Sequence, residues 1–467
     1  MQSDLKTVVV QGLGFVGAAT VAAVSDAVDE AGNPLYRVIG VDLPNDEGRR
    51  RAASINAGRF PFDTSDPALE SALAAAHSVG RIAGTTDPAA FGQADIVLVD
   101  VNLDLKSDGE KVDVSIDGFT SAIAMLAAHV SARTLIVVET TVPPGTCEKL
   151  VLPTLFNGMK RRGIVSSEDE VLLAHSYERV MPGADYLDSI VNYWRVYSAT
   201  TDEAAQRCEA FLSSIINVED YPLTRLESTT ASEMAKVLEN SYRATTIAFM
   251  DEWGRFAESL DIDLFQVIDA IRMRPTHSNI RQPGFGVGGY CLTKDPLFAD
   301  IGARKFFGNE TLSFPFCTQA VENNNRMPMA TLDMVRRGLG GDLAGRKLLL
   351  CGVSYRQDVA DTRYSPSEVF YRSATEAGAI VTCHDPLVTH WQELDLDLPA
   401  ELPDAKEFDG VVFAVPHGFY KDLDLAQWIN GSDGVVVDAN RVLTPDQLDQ
   451  LRAAKVACYS IGRGRVS

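Results

Sequence analysis

A β-branched run, Thr7 to Gln11 (TVVVQ), leads at once into Gly12-Leu-Gly14-Phe15-Val16-Gly17 and then into an alanine-rich stretch, Ala18 to Ala27, that reads as helix. Strand, glycine turn and helix in that order leave few folds open. Gly12 permits the tight turn, Gly14 lets a pyrophosphate approach the backbone, and Gly17 lets the helix pack closely on the strand. A second strand, Arg37 to Val41, ends in Asp42, a carboxylate placed to hold the hydroxyls of an adenosine ribose. Together these features predict NAD as cofactor, because an acid at Asp42 repels the 2′-phosphate of NADP. The nearby run Arg49-Arg50-Arg51 can in principle hold such a phosphate, but reads as a solvated charged turn.

The alternation continues. Apolar strands at Ile96 to Val101 and Thr134 to Val138 flank a helical pattern around Gly118 to Ala128. A parallel, doubly wound sheet follows, and ligands on such sheets bind at the carboxyl ends of the strands. Thr141 and Glu178 fall at that edge; a cap or turn role is the commoner fate of such residues. A long helix is predicted from a capping box at Thr230-Ala-Ser-Glu233 past Trp253, uninterrupted until Gly254. Lys236 and Asn240 share one face of it, with Arg243 a turn further on, either on the surface or looking into a cleft. From Arg346 a second, smaller Rossmann-like unit begins, with strands at 348–351, 380–383, 411–415 and 435–438, but no second G-x-G-x-x-G. It is expected to bind the other substrate. The fold class predicted is α/β: two Rossmann-like doubly wound parallel sheets joined by a long central helix. Expected divisions are 1–225, 226–335 and 336–467.

Between the helix and the second unit lies Pro283-Gly-Phe-Gly-Val-Gly-Gly-Tyr-Cys-Leu-Thr-Lys-Asp-Pro296. Gly284, Gly286, Gly288 and Gly289 let backbone come close to a ligand, and one cysteine, Cys291, follows them. A helix beginning after Cys291, with Lys294 beside it, would activate the thiol. Cys291, Lys294 and Asp295 then form a nucleophile, cation and carboxylate cluster; a buried cysteine beside a glycine turn is the bland alternative. Upstream, Arg272, Arg274, His277 and Arg281 make a basic patch suited to phosphate or uronate.

That patch matters because the chain as a whole carries a formal charge of -22, which argues against nucleic acid or an anionic membrane surface as partner. The seven cysteines are scattered without C-x-x-C spacing, which points to a reducing compartment and away from a metal site. No apolar run reaches the length of a membrane span, and Met1 to Lys6 lacks a secretory signal, so a cytoplasmic location is expected.

Six ordered motifs together resemble the nucleotide-sugar 6-dehydrogenase family, which includes the UDP-glucose, GDP-mannose and UDP-N-acetylhexosamine dehydrogenases. They are Gly12–Gly17, Thr141–Gly145, Glu178–Gly183, Lys236–Arg243, Gly286–Asp295 and Asp358–Pro366, and they span nearly the whole chain. The resemblance implies oxidation of a sugar C6 alcohol to a carboxylate with two NAD in succession, through a thiohemiacetal and thioester on Cys291. It further implies oxyanion stabilisation by Lys236 and Asn240, a general base in Asp295, and water positioning or activation by Thr141 and Glu178, with Thr141 also near the cofactor. Arg179, Arg243, Arg274, Gly288, Lys294, Tyr355, Arg356 and Arg363 are implied around the nucleotide sugar, and a homodimer through the central helix. Arg356 stands where the family more often has lysine, and Val101-Asn-Leu-Asp104 replaces a more usual V-P-T-P loop. The Cys-x-x-Lys-Asp cluster resembles UDP-glucose enzymes, whereas Glu178-Arg-Val-x-Pro-Gly183 resembles the acetamido-sugar branch, toward which the reading leans. Alternatives are a two-electron hydroxyacid-type dehydrogenase and a non-catalytic nucleotide-sugar-binding protein.

Overall fold

The computed structural model describes residues 5–107, 112–180 and 182–466. Most of the N-terminal stretch read for a signal, Met1 to Asp4, lies outside the described residues, as does Met181 of the Glu178–Gly183 motif. The chain divides into two compact units, Met1–Glu239 with Leu297–Ser313, and Asn240–Pro296 with Phe314–Ser467.

Among the described residues, the first unit holds an eight-stranded sheet in the order Thr224–Arg225, Val196–Ala199, Leu173–His175, Leu135–Val138, Ile96–Val99, Lys6–Gln11, Tyr36–Val41, Ile82–Thr85. Neighbours pair in parallel except Leu173–His175 with Val196–Ala199, which run antiparallel. The β-branched run Val8-Val9-Val10 is fully buried because both faces of the sheet are covered: Val8 and Val10 join one apolar cluster and Val9 the other. The strand order reverses at Lys6–Gln11, between Ile96–Val99 and Tyr36–Val41, which sets a crevice beside its carboxyl end.

Local boundaries differ from the sequence reading for physical reasons. The first helix is Phe15–Asp26, three residues earlier than expected, because Gly14 caps it in extended conformation and its carbonyl accepts from Ala18 N at 2.9 Å. The third expected strand stops at Val99, and Thr140 Oγ1 lies within donating distance of the carbonyls of Val99 and Val101 where the chain leaves the sheet. Arg49, Arg50 and Arg51 are not in a solvated turn. They lie in a helix, Asp46–Asn56, capped by Asn45, and each guanidinium has a protein partner.

The long helix is Thr229–Ser259 and runs through Gly254 without a break. Its start corrects the capping-box reading: Ser228 Oγ accepts from Ala231 N at 3.1 Å, while Glu233 turns away to a remote loop. Met234, Leu238, Tyr242, Phe249, Trp253 and Phe256 recur at intervals of three, four or seven residues along it and are exposed, whereas Lys236 and Asn240 are buried.

The second unit holds, among the described residues, a six-stranded sheet ordered Ile380–His384, Lys347–Cys351, Gly410–Phe413, Val435–Asp438, Cys458–Ser460, Gly464–Arg465, parallel except for the last pair. Here too the central strand, Lys347–Cys351, is flanked by a strand order that reverses. No helix among the described residues is long and apolar enough to cross a membrane, and no group of three or more His, Cys, Asp or Glu is arranged to hold a metal ion.

Candidate active site

The first unit supplies a dinucleotide cradle. Gly12 has φ +96°, and a Cβ there would stand 2.4 Å from the carbonyl oxygen of Asp100. A Cβ on Gly17 would fall 1.9 Å from the Gly12 carbonyl oxygen, whereas one on Gly14 would meet nothing within 4 Å. The turn is therefore closed toward the protein at Gly12 and Gly17 and open at Gly14, the position a pyrophosphate approaches. Phe15 and Val16 begin the helix, with the Phe15 ring stacked on Phe62 at 4.0 Å. Asp42 sits at the tip of its strand, where Oδ2 accepts from Leu13 N at 3.2 Å and Oδ1 from Leu43 N at 2.7 Å. Arg51 Nη1 lies 3.4 Å from Asp42 Oδ2, so the basic run reaches the ribose end of the cradle. These residues fit a bound NAD: an open glycine for the pyrophosphate and a fixed carboxylate for the ribose.

Thr141 and Glu178 follow neighbouring strands of the same sheet at their carboxyl ends, as expected, and both are half-buried. Glu178 Oε2 accepts from Val180 N at 2.7 Å, and its carbonyl accepts from Lys236 Nζ at 2.8 Å. The Lys236 ammonium also lies 5.2 Å from the ring centre of Tyr177, and Arg179 pairs with Glu239 at 2.9 Å. Buried around this edge are charges the sequence reading missed. Arg195 and Glu139 form a buried ion pair at 3.2 Å. Burial, followed by the nearby charges of Glu139 and Glu178, raises the Asp100 carboxyl well above the carboxylate range, with Arg195 opposing. Oδ2 of Asp100, Oε2 of Glu139, Oε1 of Gln11 and Oγ of Ser176 are sealed from solvent without a hydrogen-bond partner among the described residues.

Glu233 is a second missed residue. Its carboxyl accepts from Gly145 N at 2.6 Å and Cys147 N at 2.7 Å, which ties the loop carrying Thr141 to the helix carrying Lys236. Burial pushes this carboxyl up to about 7.

In the second unit, Cys291 ends the glycine loop and is the one cysteine of seven classed as exposed; five are buried and Cys317 is half-buried. The α-helix expected directly after it does not start there. Cys291 closes a single turn, its carbonyl accepting from Lys294 N at 3.2 Å and Asp295 N at 2.9 Å, and the α-helix is Phe298–Phe307. A 3-10 turn, Asp295–Leu297, intervenes, and Pro296 within it has no N–H to donate into an α-helical ladder. Lys294 Nζ donates to Asp295 Oδ1 at 2.7 Å and lies 4.4 Å from the ring centre of Tyr290. Asp295 Oδ2 accepts from Asn240 Nδ2 at 2.7 Å, so the buried carboxylate is held from both sides.

The loop itself is clamped. Asn324, on the helix Pro315–Gly338, accepts from Val287 N and donates to Val287 O, both at 2.7 Å. Gly289 N donates to the carbonyl of Arg363 at 3.1 Å. A Cβ on Gly288 would stand 2.7 Å from Tyr355 Cβ, and one on Gly289 would stand 2.9 Å from the Tyr355 ring. Tyr355 is thus packed on the loop, and burial pushes its hydroxyl up to about 12. Arg363 pairs with Asp361 at 2.7 Å, and Arg243, Arg274 and Arg356 are exposed. The structure therefore gathers Asn240, Gly288, Lys294, Asp295, Tyr355 and Arg363 around the Cys291 loop.

A nucleotide cradle closed by an acidic strand tip, in a chain with a second Rossmann-like unit, defines an NAD-dependent dehydrogenase of nucleotide sugars. Residues 6–215, 230–326 and 349–445 match the NAD binding, central and UDP binding domains of the UDP-glucose/GDP-mannose dehydrogenase family, and the chain belongs to that family. Among its relatives is an NDP-N-acetyl-D-galactosaminuronic acid dehydrogenase of Ralstonia nicotianae, 30% identical over 78% of this chain and 79% of that one. A UDP-N-acetyl-D-mannosamine dehydrogenase of Methanocaldococcus jannaschii is 27% identical over 90% of this chain and 87% of that one. The solved UDP-D-ManNAc dehydrogenase of Pyrococcus horikoshii shares the fold, with a TM-score of 0.82 at 22% identity, covering 98% of this chain and 99% of that one.

Proposed function

We propose that this enzyme oxidises the C6 alcohol of a UDP-N-acetylhexosamine to the uronate, in two oxidations on one site. The observation that carries the reading is that Cys291, the exposed cysteine, ends a rigid glycine loop beside a carboxylate anchored by Lys294 and Asn240. Bound NAD supplies the hydride acceptor for each oxidation. Asp295 takes the proton of the alcohol as the first oxidation yields the aldehyde. The Cys291 sulfur then adds to the aldehyde carbon, and Lys236 and Asn240, both amine or amide donors on buried turns of the long helix, stabilise the oxygen of the thiohemiacetal. Loss of the second hydride leaves a thioester. Water positioned by Thr141 and Glu178 breaks the carbon–sulfur bond, giving the carboxylate and restoring the thiol. Tyr355, Arg363 and the exposed Arg243, Arg274 and Arg356 serve the nucleotide sugar, with Arg179 held near Lys236 through Glu239.

The test is NADH yield per sugar across UDP-N-acetylmannosamine, UDP-N-acetylglucosamine, UDP-N-acetylgalactosamine and UDP-glucose. Two NADH from an acetamido sugar are expected. One NADH per sugar would indicate a single two-electron oxidation and remove the thioester, and two from UDP-glucose alone would reassign the substrate.

We also propose a homodimer through the exposed apolar stripe of the long helix. Six large apolar side chains in a row exceed what a monomer ordinarily leaves in water. Leu238→Glu combined with Trp253→Glu is expected to halve the mass in light scattering; a wild-type protein already at monomer mass would end the proposal.

A further inference from the structure

Within the second unit, a cleft of about 440 Å³ is lined by Arg441, Arg452, Arg463 and Arg465 together with Asp261, Asp263 and Asp449. Four guanidiniums therefore face three carboxylates, in a chain whose overall charge is strongly negative. Arg452 is committed to Asp449 and to the Val466 carbonyl. Arg463 Nε approaches Asp263 Oδ2 at 3.0 Å but is not aligned for a hydrogen bond, and this nitrogen is sealed from solvent. Arg441 makes no ion pair among the described residues; its guanidinium lies 4.9 Å from the ring centre of Phe265, as does that of Arg463. Two like charges on one ring repel, and Asp263, which stands on Arg463, offsets only one of them.

The backbone presents Arg441 deliberately. Its φ is +53°, a left-handed conformation that non-glycine residues avoid, and the buried carboxylate of Asp438 holds the turn by accepting from the amides of Asn440, Val442 and Leu443. Asp261, which also lines the cleft, has φ +54°. The same walls abut the start of the cysteine loop: a Cβ on Gly284 would stand 2.8 Å from Asn440 Oδ1, and one on Gly462 2.6 Å from Pro283.

We propose that this cleft binds a diphosphate-bearing small molecule through Arg441, Arg463 and Arg465. Guanidinium forks match phosphate oxygens two at a time, and the volume admits a nucleotide-sized ligand. The assignment does not depend on the sugar or on the thioester mechanism, because its readout is binding.

The experiment is calorimetric titration of inorganic pyrophosphate into the full chain at fixed ionic strength. Saturable binding is expected, weakened at least about tenfold by Arg441→Gly. Glycine keeps the left-handed backbone without strain, so this change removes the guanidinium and leaves the turn. Should that variant fail to fold, Arg465→Ala makes the same test at an exposed residue of the C-terminal hairpin, with the same loss expected. Equal binding by wild type and variant, as a phosphate held in the nucleotide-sugar site would give, overturns the assignment, and so does absence of binding in both. A parallel titration with ADP, in saturating NAD so that the dinucleotide cradle is filled, separates the sources: binding tighter than pyrophosphate and weakened by Arg441→Gly assigns the cleft to a nucleotide, and equal binding assigns it to the phosphates alone.

Discussion

Replacing Cys291 by serine is expected to lower uronate formation at least about a thousandfold, equivalent to roughly 4 kcal/mol of transition-state stabilisation. A serine hydroxyl is a far weaker nucleophile than a thiolate. The carboxylate in the same turn, Asp295, is already held by Lys294 and Asn240. NAD affinity should stay within about twofold, since the cradle belongs to the other unit and shares none of these residues. The measurement pairs mass-spectrometric detection of the uronate with an NAD titration by nicotinamide fluorescence. Turnover at the wild-type rate would take Cys291 out of the mechanism.

The second large effect separates two glycines of one turn. Gly14→Ala adds a methyl group into open space, at a residue whose φ of -66° suits alanine. The protein should fold with an unchanged melting temperature yet lose NAD affinity at least about tenfold, because the methyl group occupies the approach of the pyrophosphate. Gly17→Ala instead drives a methyl group to 1.9 Å from the Gly12 carbonyl oxygen and 3.3 Å from Asp100 Cβ. Overpacking of this kind costs about 1–3 kcal/mol or more, so here both stability and NAD affinity should fall. Thermal melts with and without NAD distinguish the two. If Gly14→Ala bound NAD normally, the cofactor would not cross the turn at that point.

The contrast also shows which parts of the molecule were legible in the sequence. The glycine turn, the acidic strand tip at Asp42 and the cysteine loop were readable because each is a short-range device whose parts lie within a few tens of residues. Strand and helix cores were readable from β-branched runs and alanine-rich stretches. What stayed hidden is long-range. Glu233 reads as the last residue of a capping box, and only the fold brings Gly145 and Cys147, more than eighty residues away, to its carboxyl. Asn324 sits in an unremarkable polar run, Glu322-Asn-Asn-Asn-Arg326, and its grip on Val287 has no local signal. Arg195 and Glu139 likewise come from separate strands, and a buried ion pair looks like surface charge in a sequence. The misplaced helix after Cys291 was a local error: Pro296, which has no N–H to donate into an α-helical ladder, carried the correction and went unused.

The two-point hold of Glu233 on the loop from Thr141 to Cys147 bears on how such a chain can vary over evolutionary time. One carboxyl spans two amides that are two residues apart, so adding or deleting a residue there would break one bond and strand a buried acid. The turn from Asp29 to Pro34 is of the opposite kind, exposed and closed on itself by Asp29. Length is free to drift at that turn, which lets the distance from the glycine cradle to Asp42 in sequence change while their distance in space does not.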